Sequence, residues 1–160
     1  MADVKNIKVD RMRYTKNKLS STLAYVAIVF NVLYFVSIYS SNVGNYYYNI
    51  SMGLSVLCNL VFLLAAFLCS EGIKNYKIGY AYFLIFLSIV QVARIFGIPK
   101  RAHGTIITLV EEEVKVMTDK QFTYVIVCLL ISAVACLVAG IVGIVKTVVL
   151  EKYKKEIGLN

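Results

Sequence analysis

Four apolar runs, each long enough to carry a helix across a bilayer, constrain this chain more than any other feature. They are Leu19–Tyr39, Ser51–Cys69, Ile78–Ile98 and Phe122–Val145. Crossing about 30 Å of hydrocarbon takes roughly 20 helical residues, and each run meets that length. Strands of a membrane barrel would alternate in hydropathy over about ten residues. Continuous runs such as "LVFLLAAFLC" and "YFLIFLSIV" do not alternate. The expected fold is therefore an all-α integral membrane protein, a four-helix transmembrane bundle. Its 160 residues are 59% hydrophobic, more than a soluble core of that size can hide. A single transmembrane domain over 1–160 follows, since the spans and their short loops account for the whole length.

Charge placement sets an expected orientation. Lys5, Lys8, Arg11, Arg13, Lys16 and Lys18 precede the first span, and Lys146, Lys152, Lys154 and Lys155 follow the last. The loop "SSNVGNYYYNI" has no charge, whereas "SEGIKNYK" carries Lys74 and Lys77. Basic residues near span ends mark the cytoplasmic side, so both termini are expected inside, in the plasma membrane. The basic leader and first run then form a retained signal anchor, because no small-residue cleavage site follows. Tyr46–Tyr48 fits an interfacial aromatic belt. The net charge of +8 sits at span ends and suits anionic headgroups; nucleic acid is not an expected partner.

Small residues recur every four positions in the last run: Cys128, Ser132, Cys136 and Gly140, beside Ala135, Ala139 and Gly143. Positions four apart share a helix face. Helices in lipid associate through such low-relief stripes and a few polar ties. This stripe is thus a candidate packing surface, within the chain or toward another subunit. Asn31, Ser51, Ser55 and Asn59 are candidate interhelical ties.

One stretch, "VARIFGIPKRAHGT", concentrates the unusual residues. Arg94 is a charge inside a span, Pro99 the chain's sole proline and His103 its sole histidine. Two readings compete. In one, Arg94 snorkels to the interface, Pro99 ends the helix, and Lys100 and Arg101 anchor it. In the other, Gln91, Arg94, Lys100, Arg101 and His103 form an anion site for a lipid headgroup or a partner's acidic group, because a guanidinium donates paired hydrogen bonds.

After it, Ile106, Leu109, Val110, Val114 and Met117 fall at helical spacing and predict an amphipathic helix in the outer loop 99–121. The β-branched run "TIITLV" leaves a short strand as the alternative. The basic tail 146–160 can extend the last helix, with Val149, Tyr153 and Ile157 on one face.

No aspartate or glutamate lies within a span, which disfavours proton-coupled exporters that need one. Cys58, Cys69, Cys128 and Cys136 form no C-x-x-C pair and no zinc spacing. No catalytic residue, metal or cofactor is expected. The function this pattern favours is a non-catalytic accessory or assembly subunit of a larger membrane complex such as a transporter. Its partners would be membrane lipids and other integral membrane proteins or copies of itself. The alternatives are a small oligomeric carrier or channel and a membrane-embedded lipid-handling enzyme.

Overall fold

The computed structural model describes residues 17–43, 50–109 and 112–156, with the side chains of residues 51, 109 and 112 left aside. The leader 1–16, the tyrosines 46–48, Val110 and Ile157 therefore lie outside the described residues. Four helices are long and apolar enough to cross a membrane: α1 (Lys18–Tyr39), α2 (Ile50–Lys74), α3 (Ile78–Ile95) and the long α5 (Asp119–Glu156). Between the last two come a one-turn helix α4 (Ile98–Ala102) and two short strands, β1 (Ile106–Leu109) and β2 (Glu112–Lys115).

Each helix turns one stripe inward. On α1 the stripe is Ser20, Ala24, Ala27, Asn31, Tyr34 and Ile38. On α3 it is Ala81, Leu84, Ser88 and Gln91. The three- and four-residue steps are those of a single helix face. Helix α5 is the hub, packed chiefly against α1 and α3, while α2 leans on α1 and less closely on α3. Its small-residue stripe makes this closeness possible. Cys128, Ser132, Ala135, Cys136, Ala139, Gly140 and Gly143 are all buried. A Cβ on Gly140 would lie 2.7 Å from Ile85 Cγ1 and 2.8 Å from the Ala81 carbonyl oxygen. One on Gly143 would run into the Ile73 side chain. The stripe is used within the chain.

The end of the bundle near both termini is tied by polar contacts. The Asn17 backbone N–H donates to the Lys74 carbonyl at 3.1 Å, joining the start of α1 to the end of α2. The hydroxyls of Ser21 and Ser70 meet at 2.8 Å. Tyr76 closes α2 with φ of 59°, the left-handed geometry common just past a helix C-terminus. Lys77 N–H then returns to the Gly72 carbonyl at 3.2 Å.

Three expectations change. The third run does not continue to Ile98: α3 stops at Ile95, and Pro99 sits in the first turn of α4. Proline suits that position, where its missing N–H has no helical partner to lose. Helix α5 extends far past Val145, to Glu156, as the helix-compatible tail allowed. The segment expected to be an amphipathic helix in loop 99–121 is not one. It is an antiparallel hairpin with Ile106 opposite Lys115 and Ile107 opposite Val114. The β-branched side chains fit a pleated surface better than a helix. Alternation replaces the expected apolar face: Ile107 and Val114 are half-buried, Ile106 is exposed, and Val116 and Met117 are buried beyond the strand. Val110 and the Leu109 side chain lie outside the described residues.

Candidate functional site

An arginine within an apolar helix must find oxygen atoms or reach water, since a charge left bare in hydrocarbon costs several kcal/mol. Arg94 occupies the last turn of α3. It does not snorkel outward; it turns into the bundle. Its Nη1 donates to Asn31 Oδ1 at 2.7 Å and Gln91 Oε1 at 2.8 Å, and its Nη2 to Asn59 Oδ1 at 2.9 Å. The Tyr34 ring lies beneath the guanidinium, 4.7 Å from Cζ to centroid, with Phe62 at 6.0 Å. Amide dipoles and ring faces thus solvate the cation in place of water.

The oxygens are held by a second round of bonds. Asn31 Nδ2 donates to Asn59 Oδ1 at 2.8 Å. Gln91 Nε2 donates to Asn31 Oδ1 at 3.0 Å and to Ser132 Oγ at 2.8 Å. Ser132 Oγ donates in turn to the Ala27 carbonyl at 2.9 Å. Side chains from α1, α2, α3 and α5 therefore close into one network around Arg94. Asn59 Nδ2 is the one buried side-chain polar atom among the described residues with no partner.

Beside this network is a cleft of about 300 Å³. It is lined by Tyr34 of α1, Leu54, Ser55 and Cys58 of α2, Arg94 and Gly97 at the end of α3, and Ile98 and Arg101 of α4. Two guanidiniums face it and no carboxylate does. Between α3 and α4 the Phe96 and Gly97 N–H groups turn back to the Ala93 and Arg94 carbonyls, and Gly97, with ψ of −122°, interrupts the helix before α4 begins. Arg101, seven residues past Arg94, opens on the same cleft.

The five residues expected to form one anion site are divided by the fold. Gln91 is fully buried in the network and does not line the cleft. Arg94 belongs to both, and Arg101 to the cleft. Lys100 lies over the exposed Phe96 ring, 5.3 Å from its centroid. His103 is elsewhere, at the base of the hairpin. It stacks on Phe122 at 3.9 Å, and its Nε2 lies 3.0 Å from Asp119 Oδ1. Lys115 Nζ approaches the other carboxylate oxygen of Asp119 at 3.6 Å.

Tyr34, Phe62, Cys58 and Gly97 enter the picture only with the structure. Tyr34 had a signal, being three residues and about one turn beyond Asn31 on the same face of α1. Compared with protein-family models, curated proteins and solved structures, the chain matches none of them.

Proposed function

We propose that the chain is a non-catalytic accessory or assembly subunit of a larger membrane complex, such as a transporter, binding partner helices and lipid. In this reading it is a multi-pass plasma-membrane protein, with both termini in the cytoplasm and the hairpin outside. The lysines and arginines at its span ends support that orientation.

The observation that carries the proposal is the closed network around Arg94. A carrier or channel needs intramembrane polar groups turned toward a passage. Here Asn31, Asn59, Gln91, Arg94 and Ser132 are bonded to one another across all four long helices. They fix the bundle as a body of definite shape, which is what a docking subunit contributes. Helix α2 offers such a body an outer face, with Leu54, Leu57, Leu60, Leu64 and Leu68 all more than half exposed.

Native mass spectrometry of the chain extracted gently from its own membrane tests the proposal. The expected result is a stable assembly with larger membrane proteins. Ion or solute flux through liposomes holding this chain alone would overturn it in favour of a carrier or channel.

A further inference from the structure

The cleft poses an electrostatic problem that the network only half solves. Arg94 is a full positive charge whose hydrogen-bond partners are all neutral, three amide oxygens and the Tyr34 hydroxyl. Three of its five N–H groups go to those amides and a further one to Tyr34, leaving one for whatever enters the cleft it lines. Arg101 opens on the same space, and its side chain makes no ion pair or hydrogen bond among the described residues. Ser55 adds a hydroxyl to the wall with no partner of its own among the described residues. Lys100 does not line the cleft and lies over the Phe96 ring. The carboxylate of Asp119, just past the hairpin, is already occupied by His103 and Lys115. Among the described residues, the cleft is thus lined by paired guanidiniums and no carboxylate.

We infer that this cleft binds a phosphate group, carried on an anionic phospholipid whose acyl chains run down the adjoining face of α2. Planar guanidinium forks are matched to phosphate oxygens, and two of them around one anion cancel the unpaired charge of each. The surroundings favour a lipid as the carrier. Leu54 and Ile98 form apolar walls, and Leu57 and Phe96, each next in sequence to a lining residue, are more than half exposed. Arg94 lies in the last turn of α3, where the helix breaks off toward α4. A volume of about 300 Å³ is at the small end for a ligand pocket, suited to a headgroup and not to a whole lipid.

The inference is independent of the accessory-subunit reading, because it needs only the isolated chain. The full-length protein is stripped of lipid in detergent and offered phosphatidylglycerol, phosphatidylcholine or inorganic phosphate. Binding is read as lipid adducts in native mass spectra and as a shift in Tm. The wild type is expected to retain phosphatidylglycerol about tenfold more strongly than phosphatidylcholine. Arg101→Gln removes one fork at an exposed position outside the network and should abolish most of that preference. Ser55→Leu, which fills the cleft from α2, should reduce binding of either probe while the bundle stays folded. If inorganic phosphate alone gives the same Arg101-dependent shift and no lipid is retained, the phosphate site stands and its source is a free anion. Equal retention of both lipids, unchanged in Arg101→Gln and Ser55→Leu, overturns the site. In that case a partner's acidic side chain becomes the remaining counter-charge.

Discussion

Replacing Gln91 with leucine should unlock the bundle with almost no change of volume. Gln91 Nε2 donates to Asn31 Oδ1 and Ser132 Oγ, and Gln91 Oε1 accepts from the charged Arg94 Nη1. Hydrogen bonds between neutral side chains in membrane bundles average about 0.6 kcal/mol, so the first two account for about 1 kcal/mol. A bond from a charged donor is worth about 1.5–3 kcal/mol, and its loss leaves a buried Nη1 hydrogen without an acceptor. Together, Gln91→Leu should cost about 3 kcal/mol, with the shape change adding less than about 1.5 kcal/mol. The assay is reversible unfolding in mixed micelles, titrating sodium dodecyl sulfate against a mild detergent and following circular dichroism. A double-mutant cycle with Ser132→Ala should show coupling of at least about 0.5 kcal/mol, because both changes break the same bond. A loss below about 1 kcal/mol, or strict additivity with Ser132→Ala, would refute the idea that Gln91 joins α3 to α1 and α5.

Other expectations are simpler. Gly140→Ala places a methyl 2.8 Å from the Ala81 carbonyl and should cost about 1–3 kcal/mol in the same assay, whereas Gly53→Ala, where a Cβ meets nothing within 4 Å, should be neutral or slightly stabilising. A small membrane-permeant maleimide should modify Cys58 in the native protein and reach Cys69, Cys128 and Cys136 only after unfolding, as counted by mass spectrometry. In a Cys58→Ser background, an impermeant maleimide added to intact cells should label Glu113→Cys and leave Lys152→Cys untouched until the membrane is opened; the reverse pattern would invert the proposed orientation.

The four spans were legible because lipid imposes a length and a hydropathy that no packing detail can disguise. The polar positions were legible too: Asn31, Asn59, Gln91 and Ser132 stand out in apolar runs, and such groups turn inward. Their meeting at Arg94 was not. It depends on the axial offset and rotation of four helices at once, which are set by contacts such as Gly140 against Ala81. For the same reason periodicity alone does not decide between a snorkelling and an inward Arg94. The hairpin shows a different limit. Ile106, Leu109, Val110, Val114 and Met117 match a helical period, yet Ile106, Ile107 and Thr108 in succession carry β-branched side chains. Local propensity and periodicity disagree there, and pairing of Ile107 with Val114 settles the matter. The cleft lies at the break at Phe96–Gly97, with Arg94 before it and Arg101 after it, and that break carries no periodic signal.

The hub position of α5 has a consequence for how the chain is made. A ribosome delivers α1, α2 and α3 to the membrane before any of α5 exists. Until then Gln91 has no Ser132 to receive its second hydrogen, and the faces of Ala24, Ala27 and Ala81 lack Ala135, Cys136 and Ala139 from the core they share. The first three helices must wait in the bilayer with their seams open, and the last helix then threads the assembly shut. A nascent chain stalled ahead of residue 119 would be inserted but unassembled, with the partners of Arg94 present but Gln91 lacking its tie to α5. That is the kind of species membrane insertases shelter and membrane proteases remove.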